Sequence, residues 1–196
     1  MKIIFAGGGT GGHLMAGLSI AQEISSRFPD TRVIFFGTDR NKESRYIEES
    51  NYEFKPIMAC KPTSFIRLPL FVFASLIGII HSLINLLRIK PDIIIGLGGY
   101  GSALPVVAAY IIGIPIVLIE PNVIPGRANL KMERWADAVL CHWESSKKRF
   151  KKGEVAVTGV PTRSGILENQ TEVDNNPFGL DSQKKTLLIM GGSQGA

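Results

Sequence analysis

KIIFAGGGTGGHL, residues 2–14, joins a short apolar run to a cluster of glycines and closes on a histidine. The run at 2–7 shows no apolar–polar alternation, so it reads as a strand buried on both faces, the kind a parallel sheet requires. Glycines directly after it let the backbone turn through positive φ and let a ligand come close to the main chain. LMAGLSIAQEISSRF then follows with helical spacing and stops before Pro29. Strand, glycine turn and helix form the opening unit of an α/β sheet.

The same unit recurs along the chain. RVIFFGT (32–38) reads as a second strand, KESRYIEES as a short charged helix, and EFKPIM as a weak edge strand because of Pro56. PDIIIGLGGYGS (91–102) is an apolar strand running into another glycine loop, followed by a helix over ALPVVAAYIIG and a strand in IPIVLIE that ends at Glu120. GRANLKMERWA reads as a helix, DAVLC as a strand, ESSKKRFKK as a basic helix and VAVTG (155–159) as a strand. Alternating strands and helices predict a Rossmann-like parallel sheet with helices on both faces and right-handed crossovers. Residues 1–163 form that domain, and the polar stretch 164–185 reads as a linker. TLLIMGGSQGA (186–196) then reads as the first strand and glycine loop of a second, truncated domain.

The chain has 196 residues, 45% of them hydrophobic and 20% charged, with a formal net charge of +5. That balance favours anionic partners without choosing among nucleic acid, acidic headgroups and phosphorylated substrates. Cys60 and Cys141 are far apart and in no CxxC pair, which argues against a disulfide framework and a zinc site.

LPLFVFASLIGIIHSLINLL (68–87) carries no Asp, Glu, Lys or Arg, a length and composition compatible with a membrane span. Ser75, Gly78, Ser82 and Asn85 nevertheless fall on one helical stripe, with His81 beside it. The run also sits where a crossover helix is needed. Three readings stand: a span, a buried crossover helix, and a crossover helix whose outer apolar face rests in a membrane interface, the reading favoured here. The basic cluster Lys147, Lys148, Arg149, Lys151 and Lys152 suits anionic headgroups and equally a solvated helix end.

Gly7, Gly9 and Gly12 satisfy G-x-G-x-x-G, but Asp39, the nearest acidic residue for a dinucleotide ribose, lies 27 residues past Gly12. A dinucleotide site expects it about 20 positions on, so that reading fits poorly. Three glycine loops, GGGTGGH, GLGGYGS and GGSQGA, each follow an apolar strand. In an open α/β sheet that is the ligand edge, where backbone N–H groups and helix N-termini hold anions.

GGTGGH, GGYGS, a strand ending in Glu120 with Asn122 two residues on, GVPTR and GGSQGA occur in this order and spacing. Together they resemble, over the whole chain, the MurG family, inverting N-acetylglucosaminyltransferases of glycosyltransferase family 28 with the two-domain GT-B fold. The resemblance implies that this chain is the acceptor half, binding lipid I at the cytoplasmic face of the inner membrane as a peripheral protein. UDP-N-acetylglucosamine would be the donor and an anionic membrane surface a partner, with no cofactor, metal or nucleic acid. It implies substrate contacts from Thr10, Gly11, Gly12, His13, Gly99, Tyr100, Ser102 and Asn122. Arg163 would contact the donor diphosphate, and Ser193 and Gln194 the donor side. Inactivity of this half alone is expected.

Sugar transfer needs a base for the acceptor hydroxyl, and the unperturbed pKa of a histidine lies near neutrality, so His13 suits that role or donation to a phosphate. Glu120, at the sheet edge, is the rival base. Three positions depart from the family pattern: Ile119 and Pro121, because Ile119-Glu120-Pro121-Asn122 stands where His-Glu-Gln-Asn is usual, and Ala16, which replaces a common proline. The lost polar pair leaves open a related transferase with another lipid acceptor. A membrane-binding half that recruits a separate catalytic subunit is the other alternative.

Overall fold

The computed structural model describes residues 1–8, 11–38, 43–58, 68–162, 179–181, 183–187 and 189. The chain divides into two compact units, Met1–Pro161 and Thr162–Ala196. In the first, β1 (Lys2–Gly7), β2 (Arg32–Gly37), β3 (Glu53–Pro56), β4 (Ile93–Gly98), β5 (Ile116–Glu120), β6 (Ala138–Cys141) and β7 (Glu154–Val157) alternate with helices. The helices are α1 (Gly11–Arg27), α2 (Glu43–Glu49), α3 (Leu68–Ile89), α4 (Tyr100–Ile111), α5 (Arg127–Met132) and α6 (Glu144–Lys147). All seven strands are parallel, in the order β3-β2-β1-β4-β5-β6-β7. The order reverses between β1 and β4, the topological switch point of a doubly wound sheet.

Alternate residues of each strand serve opposite faces. Ile3 and Phe5 of β1 join Leu14 and Leu18 of α1 and Ile47 of α2 in one buried cluster. Ile4 and Ala6 join Leu86 and Ile89 of α3, Val106 and Ala108 of α4 and Met132 of α5 in the other. Phe5 stacks on Phe35 across β1 and β2 with ring centroids 5.0 Å apart, worth about 1 kcal/mol beyond simple burial. The run at 2–7 lacks alternation because both of its faces are covered.

Helix α3 inverts the usual amphipathic arrangement. Its small and polar stripe faces inward: Ser82 is fully buried, its hydroxyl donating to the Gly78 carbonyl oxygen at 2.8 Å. A β-carbon on Gly78 would meet Leu104 of α4 and the Met58 carbonyl oxygen, both at 2.5 Å. Outward stand Leu70, Phe73, Leu76, Ile77, Ile80, Ile84 and Leu87, all exposed, Phe73 to 62%. The helix is long and apolar enough to cross a membrane by length and composition, yet its inner side forms part of the core. Of the three readings of 68–87, the fully buried crossover helix does not hold, because a whole apolar face stays uncovered.

The basic helix expected over 144–152 is shorter than its sequence suggests. Helix α6 ends at Lys147, and the chain turns so that Phe150 packs into the core and the Lys151 N–H donates to the Glu133 carboxylate at 2.8 Å. In the second unit, the Asp181 carboxylate accepts from the Gln183 N–H at 3.0 Å, and its carbonyl oxygen accepts from the Lys184 N–H. Leu187 and Ile189 are exposed and, among the described residues beyond Val157, no strand forms.

Candidate active site

In a parallel sheet every strand points its C-terminal end to one edge, so β1, β4, β5 and β6 deliver Gly7, Gly98, Glu120 and Cys141 side by side. Two helices start at the same edge. Gly11 and Gly12 open α1 and are exposed, and a β-carbon on Gly12 would meet nothing. Tyr100, half exposed, opens α4 after Gly99, whose φ is +77°. Neither helix has an acidic residue in its first turn, and α4 has no side-chain cap. The positive ends of both helix dipoles therefore face the switch point, a setting that favours a bound anion.

Two glycines keep this edge compact. Gly7 has φ +104°, and a β-carbon there would lie 2.6 Å from the Gly98 carbonyl oxygen and 2.9 Å from Ser102 Cβ. Gly98, at φ +95°, faces His13 and Asn129: a β-carbon would fall 3.3 Å from His13 Nε2 and 3.3 Å from Asn129 Nδ2. Ser102, expected to touch substrate, is fully buried beneath this loop, and its hydroxyl donates to the Gly99 carbonyl oxygen at 2.9 Å.

Glu120 is fully buried, and its carboxylate is ringed by N–H donors. Oε1 accepts from the Asn122 main-chain N–H at 2.9 Å and from Asn122 Nδ2 at 2.8 Å. Oε2 accepts from the Gly126 N–H at 2.9 Å and from Asn129 Nδ2 at 3.0 Å. Asn129 Nδ2 also donates to the Ile119 carbonyl oxygen at 2.9 Å. No lysine or arginine pairs with Glu120 among the described residues. A buried carboxylate is tolerated only when its lone pairs are met, and these four bonds meet them.

His13, in the first turn of α1, brings Nε2 to 3.3 Å from Asn122 Nδ2. Burial holds the imidazole below its ordinary pKa, and the Glu120 charge partly offsets that. His142, directly after β6, is buried and is likewise held low by burial, with Glu120 raising it and His13 lowering it. Both rings are therefore neutral at neutral pH. Trp143 is 45% exposed, and its ring N–H donates to the Pro121 carbonyl oxygen at 3.0 Å.

Of the residues expected at the site, the structure gathers Gly11, Gly12, His13, Gly99, Tyr100, Glu120 and Asn122 at one edge, with Ser102 below. Thr10, Arg163, Ser193 and Gln194 lie outside the described residues, as does Asp39. Sequence reasoning missed Gly126, Asn129, His142 and Trp143. His142 and Trp143 were findable, because they follow an apolar strand exactly as Asn122 follows β5; Asn129 carries no such signal.

A doubly wound parallel sheet with glycine loops, two helix N-termini and a neutral histidine at its switch point has the architecture of a glycosyltransferase domain. Residues 3–141 match the glycosyltransferase family 28 N-terminal domain, and the chain belongs to that family. It is 35% identical, over its whole length and 54% of the relative, to the UDP-N-acetylglucosamine--N-acetylmuramyl-(pentapeptide) pyrophosphoryl-undecaprenol N-acetylglucosamine transferase of Thermodesulfovibrio yellowstonii. The Bacillus subtilis (strain 168) protein of the same name is also 35% identical, over all of this chain and 54% of its own length. The chain thus spans about half the length of the curated relatives it matches. Among solved structures, Acinetobacter baumannii MurG shares the fold with a TM-score of 0.70 at 23% identity, over 83% of this chain and 46% of that one. Anabaena HepE, solved in complex with UDP, has a TM-score of 0.60 at 15% identity, over 82% of this chain and 44% of that one.

Proposed function

We propose that residues 1–163 are the acceptor-binding half of an enzyme that transfers N-acetylglucosamine from UDP-N-acetylglucosamine to lipid I, with inversion at the anomeric carbon. The observation that carries this reading is the pairing of a neutral His13 with the N-terminal ends of two helices at one switch point. In this scheme an acceptor sugar hydroxyl attacks the anomeric carbon, His13 Nε2 takes its proton, and UDP leaves. Backbone N–H groups at Gly11, Gly12, Gly99 and Tyr100 hold the acceptor's diphosphate. Residues 164–185 link this half to a donor-binding half that begins at 186–196. Arg163, Ser193 and Gln194 serve the donor side, a bidentate guanidinium being well matched to a diphosphate. The names of the relatives support the substrate pair.

The uncovered face of α3 favours a second element of the reading: peripheral attachment to the anionic cytoplasmic face of the membrane where a lipid-linked acceptor resides. The test of acceptor binding is a calorimetric titration of the chain, in mild detergent, with a short-chain lipid I analogue. Saturable binding that weakens in His13→Ala supports it. A folded chain that ignores the analogue, while binding a different lipid-linked sugar, replaces lipid I as the acceptor.

A further inference from the structure

We propose that Glu120 is a positioning residue and not the proton acceptor: through the Asn122 amide it holds His13 in the tautomer whose Nε2 carries no proton and faces the substrate. This rests on the reading of His13 as the base.

The geometry excludes Glu120 from proton transfer in its own right. Its side chain is fully buried, and both oxygens are already engaged by Asn122, Gly126 and Asn129. A hydroxyl would have to displace one of these donors and enter a fully buried site to reach it. The same bonds give it a different task. An oxygen of Asn122 placed against a carboxylate oxygen would repel it, so the 2.8 Å contact with Oε1 orients the Asn122 amide with its NH₂ inward. An NH₂ group has two protons. One goes to Glu120, and the other is aimed at His13 Nε2, 3.3 Å away. A nitrogen that accepts this bond carries a lone pair, so the neutral ring holds its proton on Nδ1. At 3.3 Å the bond is long, and an acceptor hydroxyl can take its place and donate to the same lone pair.

The remaining Glu120 bonds make the arrangement rigid. Gly126 and Asn129 close the turn 121–126 onto Oε2, so the loop bearing Asn122 is fixed at both ends to one carboxylate. The titratable groups acting on this cluster from neighbouring elements include Glu120 on β5 and, after β6, His142, which feels both Glu120 and His13. Removing the Glu120 charge withdraws its support for imidazolium, so His13 should titrate at lower pH.

The experiment is nitrogen-15 NMR of the whole chain labelled at histidine, reading the tautomer and titration midpoint of His13 without substrate. Wild type should show the Nδ1–H form. Asn122→Ala, which alters an exposed side chain, should lose that preference and move toward the Nε2–H form. Glu120→Gln should lower the midpoint. If Glu120→Gln does not fold, the Asn122→Ala tautomer decides alone. A wild-type Nε2–H form, or a tautomer unmoved by Asn122→Ala, overturns the proposal, since a merely structural glutamate would leave the ring untouched. Because no substrate is present, this outcome is separate from the calorimetric test of the transferase reading.

Discussion

A β-carbon on Gly7 would lie 2.6 Å from the carbonyl oxygen of Gly98, so the two loops that end β1 and β4 touch backbone to backbone at the switch point. Gly7 also sits at φ +104°, where other residues are strained. Gly7→Ala should therefore destabilise the domain by about 2 kcal/mol or more, a fall in Tm of several degrees for a chain of this size. Gly98→Ala should do the same and in addition displace His13 and Asn129, whose side chains lie against it. Thermal unfolding followed by circular dichroism checks both. A Gly7→Ala protein with unchanged Tm would mean that the loops part at little cost.

The two faces of α3 predict opposite responses to substitution. Phe73→Ser, Leu76→Ser and Ile80→Ser alter exposed side chains, so the fold should change stability by no more than about 0.5 kcal/mol each. Binding to phosphatidylglycerol vesicles should nevertheless drop severalfold in the triple variant. Ser82→Leu, at a fully buried position on the inner side of α3, should destabilise by about 1–3 kcal/mol through overpacking. Vesicle flotation and chemical denaturation, run on the same samples, separate the effects. Wild-type flotation of the triple variant would remove α3 from membrane attachment.

Stability should depend on pH through His13 and His142. Both have folded pKa values below the ordinary histidine value, chiefly from burial. The unfolded chain therefore binds more protons than the folded one as pH drops past about 6.5. Their contribution is fully present above that pH and is lost as pH falls through the folded pKa values. Tm should thus decline between pH 7 and pH 5, and a His142→Gln variant should show a shallower decline. An equal slope in the variant would show that His142 titrates alike in the folded and unfolded chain.

The strands and their edge were readable because fully buried runs closed by glycine have few alternatives: β1 and the C-terminal ends of β4 and β5 fall where the sequence places them. Helix α3 was ambiguous because its composition alone satisfies a span, a crossover helix and an interfacial helix. Only packing reveals that Ser82 and Gly78 face inward with Leu86, while Leu70, Leu76 and Leu87 stay exposed. The basic helix ran long on paper because Lys and Arg favour helix, whereas the buried Phe150 and the Glu133–Lys151 contact turn the chain early. At the site, His13 was legible from its place after the glycines. The donors around Glu120 were not, since Gly126 and Asn129 reach it only once the turn 121–126 has formed.

His13 gives the sharpest prediction about rate. A positioned general base contributes about 10²–10⁴-fold. With this half joined to a donor-binding half, His13→Ala should lower kcat by that order while leaving the acceptor KM within a few fold, because the backbone N–H groups proposed to hold the diphosphate are untouched. As the proposed base, His13 works only when neutral, and burial holds its pKa below the ordinary value. Activity should therefore persist through neutral pH and fall only on the acid side, with that limb absent in His13→Ala. Asn122→Ala should lower kcat less than His13→Ala, since it loosens the ring and spares its nitrogen. A His13→Ala enzyme with wild-type kcat and an intact acid limb would assign the proton to another group and leave His13 a binding residue.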